Sequence, residues 1–324
     1  MRIAVTGSIA TDHLMMFSGK FADTLIADKL DKISVSYLVG DLQVRRGGVA
    51  GNISYGLGSL GLRPLLVGSA GRDFAEYRTW LEEHGVDTSG VRISETRHTA
   101  RFTATNDTEG NQIASFYPGA MSEDGEIDIA SLVAAHGIEL VLIGAGDPSA
   151  MQQHTADCRA AGIPFAADFS QQVAFLDGDA MRTLIEGATY LFCNEYEVAV
   201  IESKTGWTSE DILARVGTRI VTLASEGARV ERRGEDPIVV GPVKDATFVE
   251  PTGAGDAFRC GFLAGTAWGL PIERAVQLGN LMAVHALETV GPQEYELKPA
   301  PLADRARAAY GDEAGAELAA HLPA

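Results

Sequence analysis

A mostly parallel α/β sheet with helices on both faces and a small β-rich lid is the fold class that this 324-residue sequence predicts. Short apolar runs recur between helix-length segments, as buried parallel strands require. Two stretches rich in β-branched and aromatic residues interrupt that alternation and have no crossover helix after them. A hydrophobic content of 46%, with no Pro/Ser-rich or charge-rich linker, fits one large domain over residues 1–324 rather than a string of modules.

The first strand runs through Arg2-Ile3-Ala4-Val5 into Gly7-Ser8. Asp12 then falls just beyond its carboxyl end, where open α/β sheets bind ligands. The lid is expected from about residues 13–44 and 94–120. Residues 32–39 read as one of its strands, and residues 101–105 and 112–117 flank a hairpin turn at 106–111. Residues 64–68 open a strand-helix unit whose helix passes through Phe74, Trp80 and Leu81. Residues 140–144 precede a helix at 151–161, and 165–168, 190–194 and 219–223 are further short strands. Right-handed crossovers put several of their polar ends along one rim. Residues 255–267 and 272–288 read as two helices, the first with an apolar stripe of Phe258, Phe262 and Leu263, the second opened by Pro271. Residues 302–324 read as surface helix.

Composition removes several classes of function. The formal net charge is -18, from 44 acids against 26 bases, and the basic clusters Arg45-Arg46 and Arg232-Arg233 are only pairs, so no nucleic-acid partner is expected. Cys158, Cys193 and Cys260 form no CxxC pattern and read as buried thiols in a reducing compartment. Without a basic leader or 18 uninterrupted apolar residues, the expectation is a cytoplasmic chain with no membrane partner.

Four segments could carry chemistry. In Glu250-Pro251-Thr252-Gly253-Ala254-Gly255-Asp256, the glycines permit a tight turn, and the helix that follows leaves unpaired N–H groups at its start, suited to a phosphate. Asp256 could there accept a proton from a hydroxyl beside a transferring phosphoryl group, or simply cap the helix. In Arg46-Gly47-Gly48-Val49-Ala50-Gly51-Asn52, Gly48 frees backbone N–H groups for a polar ligand, and Asn52 can donate and accept at once, as vicinal hydroxyls require. Tight packing by Gly51, Gly56 and Gly58 is the plainer alternative. Asn194-Glu195-Tyr196-Glu197 follows an apolar strand, and Glu197 could act through water on a phosphate-bound Mg²⁺. Thr222 to Gly227 forms a strand end and turn able to hold part of a nucleotide. There is no GxxxxGK[ST], no dinucleotide fingerprint, no HxxxH spacing and no GxSxG.

Gly47-Gly48-x-x-x-Asn52 and Pro251-Thr252-Gly253-Ala254-Gly255-Asp256, in that order, resemble the two signatures of the ribokinase-like (PfkB) carbohydrate kinases. Gly68-Ser69-Ala70-Gly71-Arg72-Asp73 and Asn194-x-x-Glu197 extend the resemblance over nearly the whole chain. Residues 1–15, 46–52, 114–122 and 167–172 are most similar to a bacterial branch that phosphorylates adenosine. The resemblance implies a three-layer α/β core with a β lid used in homodimer formation. It also implies transfer of the γ-phosphoryl of Mg²⁺-bound ATP to the 5'-hydroxyl of adenosine, a purine-salvage step, helped in many members by K⁺.

On that basis Asp256 would be the base and Gly253, Ala254 and Gly255 the anion hole. Ser8, Asp12, Ser36, Gly48 and Asn52 would meet the substrate, with Asp12, Gly48 and Asn52 on the ribose. Phe102 and Phe116 would sandwich adenine, or else form the lid's own dimer core, and Gln171 and Gln172 would reach the base edge or ribose. Asn194 and Glu197 would organise the Mg²⁺-phosphate region, with Thr222 and Gly227 near ATP. Two departures bear on ion and nucleotide contacts: Glu250 stands where an Asp is common, and Ala224 where a Gly is common. A sugar kinase is the alternative within the class, and a non-catalytic nucleoside- or sugar-binding protein the alternative outside it.

Overall fold

The computed structural model describes residues 1–25, 31–32, 34–244 and 246–323. Ile33, within the strand expected at 32–39, and Ala324 of the last expected helix lie outside the described residues, as do residues 26–30 of the expected lid. The strands are β1 (Ile3–Thr6), β2 (Ala10–Phe17), β3 (Val39–Gly47), β4 (Leu65–Ala70), β5 (Asp87–Ile93), β6 (Ala100–Asn106), β7 (Gln112–Tyr117), β8 (Leu140–Ile143), β9 (Phe165–Asp168), β10 (Tyr190–Asn194), β11 (Thr218–Thr222), β12 (Ala228–Glu231) and β13 (Ile238–Val240).

Nine of them form one sheet in the order β13-β12-β11-β10-β9-β8-β1-β4-β5. It is parallel from β11 across to β5 and antiparallel only at β11–β12 and β12–β13. Side chains alternate across a strand, so continuous apolar runs feed two cores. Ile3, Val5, Leu66, Leu140 and Leu142 enter one core with the helices Val49–Ser59, Ala254–Ala267 and Ile272–Leu287. Ala4, Leu65, Val67, Val141 and Ile143 enter the other, with the helices Pro148–Ala161 and Gly178–Ile185. The expected three layers are present.

The second sheet has the order β3-β2-β6-β7, antiparallel except for β2–β6. One expectation changes here. Residues 34–38 are irregular and, apart from the partly buried Tyr37, exposed, and the strand expected at 32–39 begins only at Val39, where pairing with Phe17 starts. Asp12 does lie beyond the carboxyl end of β1, and it does so within β2, because the chain passes straight from the main sheet into the second one.

The C-terminal stretch also differs from a surface helix. It forms two helices, Pro299–Tyr310 and Asp312–Ala319, separated by Gly311 with φ of +95°. Leu302, Ala306 and Leu318 join the first core. The i, i+4 spacing of Leu302 and Ala306 is enough to bury one side of the first, otherwise polar and Ala-rich helix, and Leu318 anchors the second. Among the described residues, no helix is long and apolar enough to cross a membrane.

Candidate active site

The carboxyl ends of the parallel strands and one face of the second sheet enclose a cleft of about 620 Å³. Its lining brings together Ser8, Asp12, Gly48, Asn52, Phe102, Phe116, Gln171, Gln172, Asn194, Glu197, Thr222, Gly253, Gly255 and Asp256, which are dispersed through the sequence.

Gly253 adopts φ of +81° and turns the chain into the helix Ala254–Ala267. The Ala254 N–H, expected in the anion hole, instead donates to the Pro251 carbonyl at 3.2 Å, and Ala254 does not line the cleft. The N–H groups of Gly255 and Asp256 have no backbone partner among the described residues and stand at the positive end of the helix dipole. Asp256 is half-buried and accepts a hydrogen bond of 2.8 Å from Asn52 Nδ2. Burial raises its pKa to about 6, against the lowering effects of the Asn52 bond and of Arg259.

Gly48 has φ of +89°, and any Cβ there would overlap the Ser8 carbonyl. The buried Ser8 accepts from Val49 N–H through Oγ at 2.9 Å and so fixes the start of that helix. Across the second sheet Asp12 pairs with Arg45 and with Phe102, and Phe102 pairs with Phe116, so all four share one face. Burial also lifts Asp12 to about 6, with Arg45 opposing the shift. Arg45 holds Glu250 at 2.9 Å, so the carboxylate that stands in place of the common Asp is engaged in an ion pair.

Gln172 Nε2 donates to the Gly146 carbonyl at 2.7 Å, which fixes that amide, whereas Gln171 is exposed at the cleft. Asn194 and Glu197 form a reciprocal capping box: Asn194 Oδ1 accepts from Glu197 N–H and Glu197 Oε2 from Asn194 N–H, both at 2.8 Å. Glu197 is 7% exposed, and burial shifts its carboxyl upward.

Besides Ala254, two expected residues stand elsewhere. Ser36 is exposed in the irregular stretch 34–38 and does not line the cleft, since no strand pairing holds that stretch over the site. Gly227 closes the β11–β12 turn at φ of +92°, packed against the Val240 carbonyl, so its glycine is required by the turn. Thr222 alone of that segment reaches the cleft.

The sequence reading missed the cation beneath the site. Arg259 lines the cleft yet is 6% exposed. Its Nη2 donates to Asp168 Oδ1 at 2.7 Å, and its Nε lies 2.6 Å from Asp168 Oδ2. Burial disfavours its charge, but Asp168, Glu197 and Asp256 outweigh that and hold it firmly protonated. The available signal was its place one helical turn after Asp256, with Asp168 at a strand end. Phe175, also unexpected, stands 80% exposed at the cleft. Ser170 and Ala224, both non-glycine residues at positive φ (+41° and +50°), open short 3-10 helices after β9 and β11, and Ser170 lines the cleft, the kind of strain that gathers at functional sites.

A half-buried carboxylate, a helix terminus with free amides and a buried cation thus face one cleft, an arrangement suited to an anionic ligand. The model of the pfkB family of carbohydrate kinases matches residues 12–299. The chain is 27% identical over 271 residues to a nucleoside kinase of Methanocaldococcus jannaschii, covering 82% of this chain and 87% of that one. It is 30% identical over 263 residues to an ATP-dependent ribose-1-phosphate kinase of Halopiger xanaduensis, covering 79% and 85%. A Burkholderia thailandensis nucleoside kinase in complex with inosine superposes with a TM-score of 0.82 at 33% identity, over 95% of this chain and 98% of that one. The protein is a kinase and belongs to the pfkB carbohydrate kinase family.

Proposed function

We propose that this kinase transfers the γ-phosphoryl group of ATP to the 5'-hydroxyl of a purine nucleoside, adenosine foremost, giving AMP and ADP. The carrying observation is the cross-strand pair Phe102–Phe116 on the face that overlooks Asp256. Flat rings suit a base, and a free sugar has no use for them. The similarity to nucleoside kinases, one of them bound to inosine, supports the same reading. A match to an adenosine kinase of Saccharomyces cerevisiae spans only 40% of this chain.

In this reading the ionised Asp256 takes the proton of the 5'-hydroxyl as the new O–P bond forms and the bond to ADP breaks. The amides of Gly255 and Asp256 hold the transferring group, and Asp12 and the rim of the Gly48 turn hold the ribose. The second sheet acts as a lid that keeps water out of the reaction. Among the described residues no group of three or more His, Cys, Asp and Glu is gathered to hold a metal. The buried Glu197 carboxylate lines the cleft, so a Mg²⁺ carried in by the nucleotide phosphates would meet it through water and would partly neutralise their charge. Thr222 and Asn194 flank that region. The reaction belongs in the cytoplasm, where ATP and free nucleosides meet.

Homodimerisation is proposed through the lid's other face, where Leu42 and Ile113 occupy one cross-strand row and Val44 the next, all three about half exposed or more. Sedimentation at micromolar concentration checks that part. For the reaction, the purified protein is assayed for ADP release with adenosine, inosine, cytidine, ribose and ribose 1-phosphate in the presence of Mg²⁺. Preference for adenosine by kcat/KM is expected. Preference for ribose or its phosphate would replace the nucleoside reading with a sugar-kinase one.

A further inference from the structure

We infer that Gln293 and Tyr77 are positioning residues for Asp256, acting through Asn52 in a buried hydrogen-bond chain whose direction is set at its far end by the Gly47 carbonyl. The inference rests on Asp256 being the base of the reaction proposed above.

Each link is a single bond with one donor. Tyr77 Oη donates to the Gly47 carbonyl at 2.9 Å. Gln293 Nε2 donates to Tyr77 Oη at 2.5 Å and to Asn52 Oδ1 at 2.9 Å. Asn52 Nδ2 then donates to Asp256 Oδ2 at 2.8 Å. A carbonyl oxygen can only accept, so Tyr77 spends its one proton there and must accept from its other neighbour. That requires the NH₂ end of Gln293 to face Tyr77, and the same NH₂ then takes the Asn52 oxygen. Asn52 is left with only its NH₂ to offer Asp256. An unconstrained Asn could rotate and present an oxygen to the carboxylate. Here the rotation would break two bonds in a dry region, since Gln293 is fully buried and Tyr77 and Asn52 are nearly so.

The glycine-rich motif is built around this chain. A Cβ at Gly51 would overlap the Tyr77 hydroxyl and lie 3.5 Å from Gln293 Nε2. Gly51 therefore serves the route from Tyr77 to Asn52 as well as helix packing. The consequence for Asp256 is a donor fixed in place, which favours the ionised carboxylate that a base requires. The charged and titratable groups around Asp256 are Arg259 and Cys260 on its own helix, Asp168 at the end of β9, Tyr77, and Tyr295. Burial raises both tyrosines and Cys260 above their ordinary values, so all three stay neutral through the working pH range. Arg259 and Asp168 remain paired with each other.

The test compares the wild type with Gln293→Met and Tyr77→Phe in two ways. One is the pH profile of nucleoside kcat/KM, and the other is the pH titration of the Asp256 carboxyl by ¹³C NMR, assigned with Asp256→Asn. Both variants are expected to move the Asp256 titration and the acid limb to higher pH, by about half a unit or more, as loss of a fixed donor dictates. Turnover near neutral pH should fall by about tenfold with KM for ATP within about twofold, as for an interaction that acts on the chemical step. Tyr77→Phe removes a single oxygen and decides the matter if Gln293→Met does not fold. Turnover lowered equally at every pH, with the Asp256 titration unmoved in a folded variant, would overturn the inference and leave a packing role. A wild type that phosphorylates no nucleoside, but whose Asp256 titration shifts in the variants, would remove the nucleoside reading and leave the chain of bonds standing.

Discussion

A Cβ at Gly255 would lie 2.9 Å from Nη1 of Arg259, so the second glycine of the Gly-Ala-Gly turn is the space that the buried guanidinium occupies. The backbone at Gly255 is not left-handed, which makes room rather than conformation the reason for glycine. Asp168 clamps the guanidinium, so it has no easy way to step aside.

Gly255→Ala should therefore fold, with a stability loss of about 1–3 kcal/mol from overpacking. Its kcat should fall on the order of 10²-fold, since the crowded side chain sits beside the free amides that orient the phosphoryl group. Thermal melts and steady-state kinetics check this. Unchanged kcat would show that Arg259 moves freely.

Breaking the Asp168–Arg259 pair from one side should be worse than replacing both partners. Asp168→Asn leaves a buried guanidinium short of its counter-charge and should cost about 3–5 kcal/mol. A paired Asp168→Leu/Arg259→Met variant should recover much of that stability while remaining inactive. Urea denaturation of the three proteins measures the difference, and a double variant no more stable than the single one contradicts it.

Activity should depend on pH through two carboxyls. Asp256 and Asp12 are both raised to about 6 by burial. A base must be ionised, so kcat/KM should fall as pH drops below about 6, with a limiting slope approaching two on a logarithmic plot and a slope of one in Asp12→Asn. For stability the sign is reversed. A folded-state pKa above the unfolded value gives a contribution that is full below the ordinary carboxylate range and lost as pH rises through about 6.

Asp256→Asn should then lower turnover by about 10²-fold or more while melting no lower than the wild type at pH 8, because the buried charge is gone. Near-normal turnover would reject Asp256 as the base.

Phe102→Ala and Phe116→Ala should each weaken adenosine binding by about threefold to tenfold beyond any effect on ribose, the scale of an aromatic stacking contact. Calorimetric titration with both ligands separates the cases. Equal weakening of the two would mean that the second sheet, and not a base-binding pair, had been damaged.

Much of the main sheet was legible because its strands are short apolar runs buried on both faces: residues 165–168 and 190–194 were found at the bounds they have in the structure. The second sheet was harder. Its exposed strands alternate polar with apolar residues, and the placement of β3 after residue 38 depends on pairing with β2, which no local pattern announces. The cleft residues in glycine-rich or strand-end motifs were also readable, since a tight turn demands particular residue types. Arg259 and Gln293 were not, because an arginine inside a helix or a glutamine in a loop is ordinary until its partner is known.

The sequence alone determined the alternating α/β core, the Gly-rich turn that opens onto Asp256, and the absence of P-loop, dinucleotide and zinc signatures. Only the tertiary structure decided which amide hydrogens stay free, that Asn52 turns its NH₂ to Asp256, and that a buried cation lies under the cleft. Local composition fixes backbone periodicity and turn chemistry within a few residues. A hydrogen bond between residues 52 and 256, or 77 and 293, exists only once separate elements are packed together, and its direction depends on every other group buried with it.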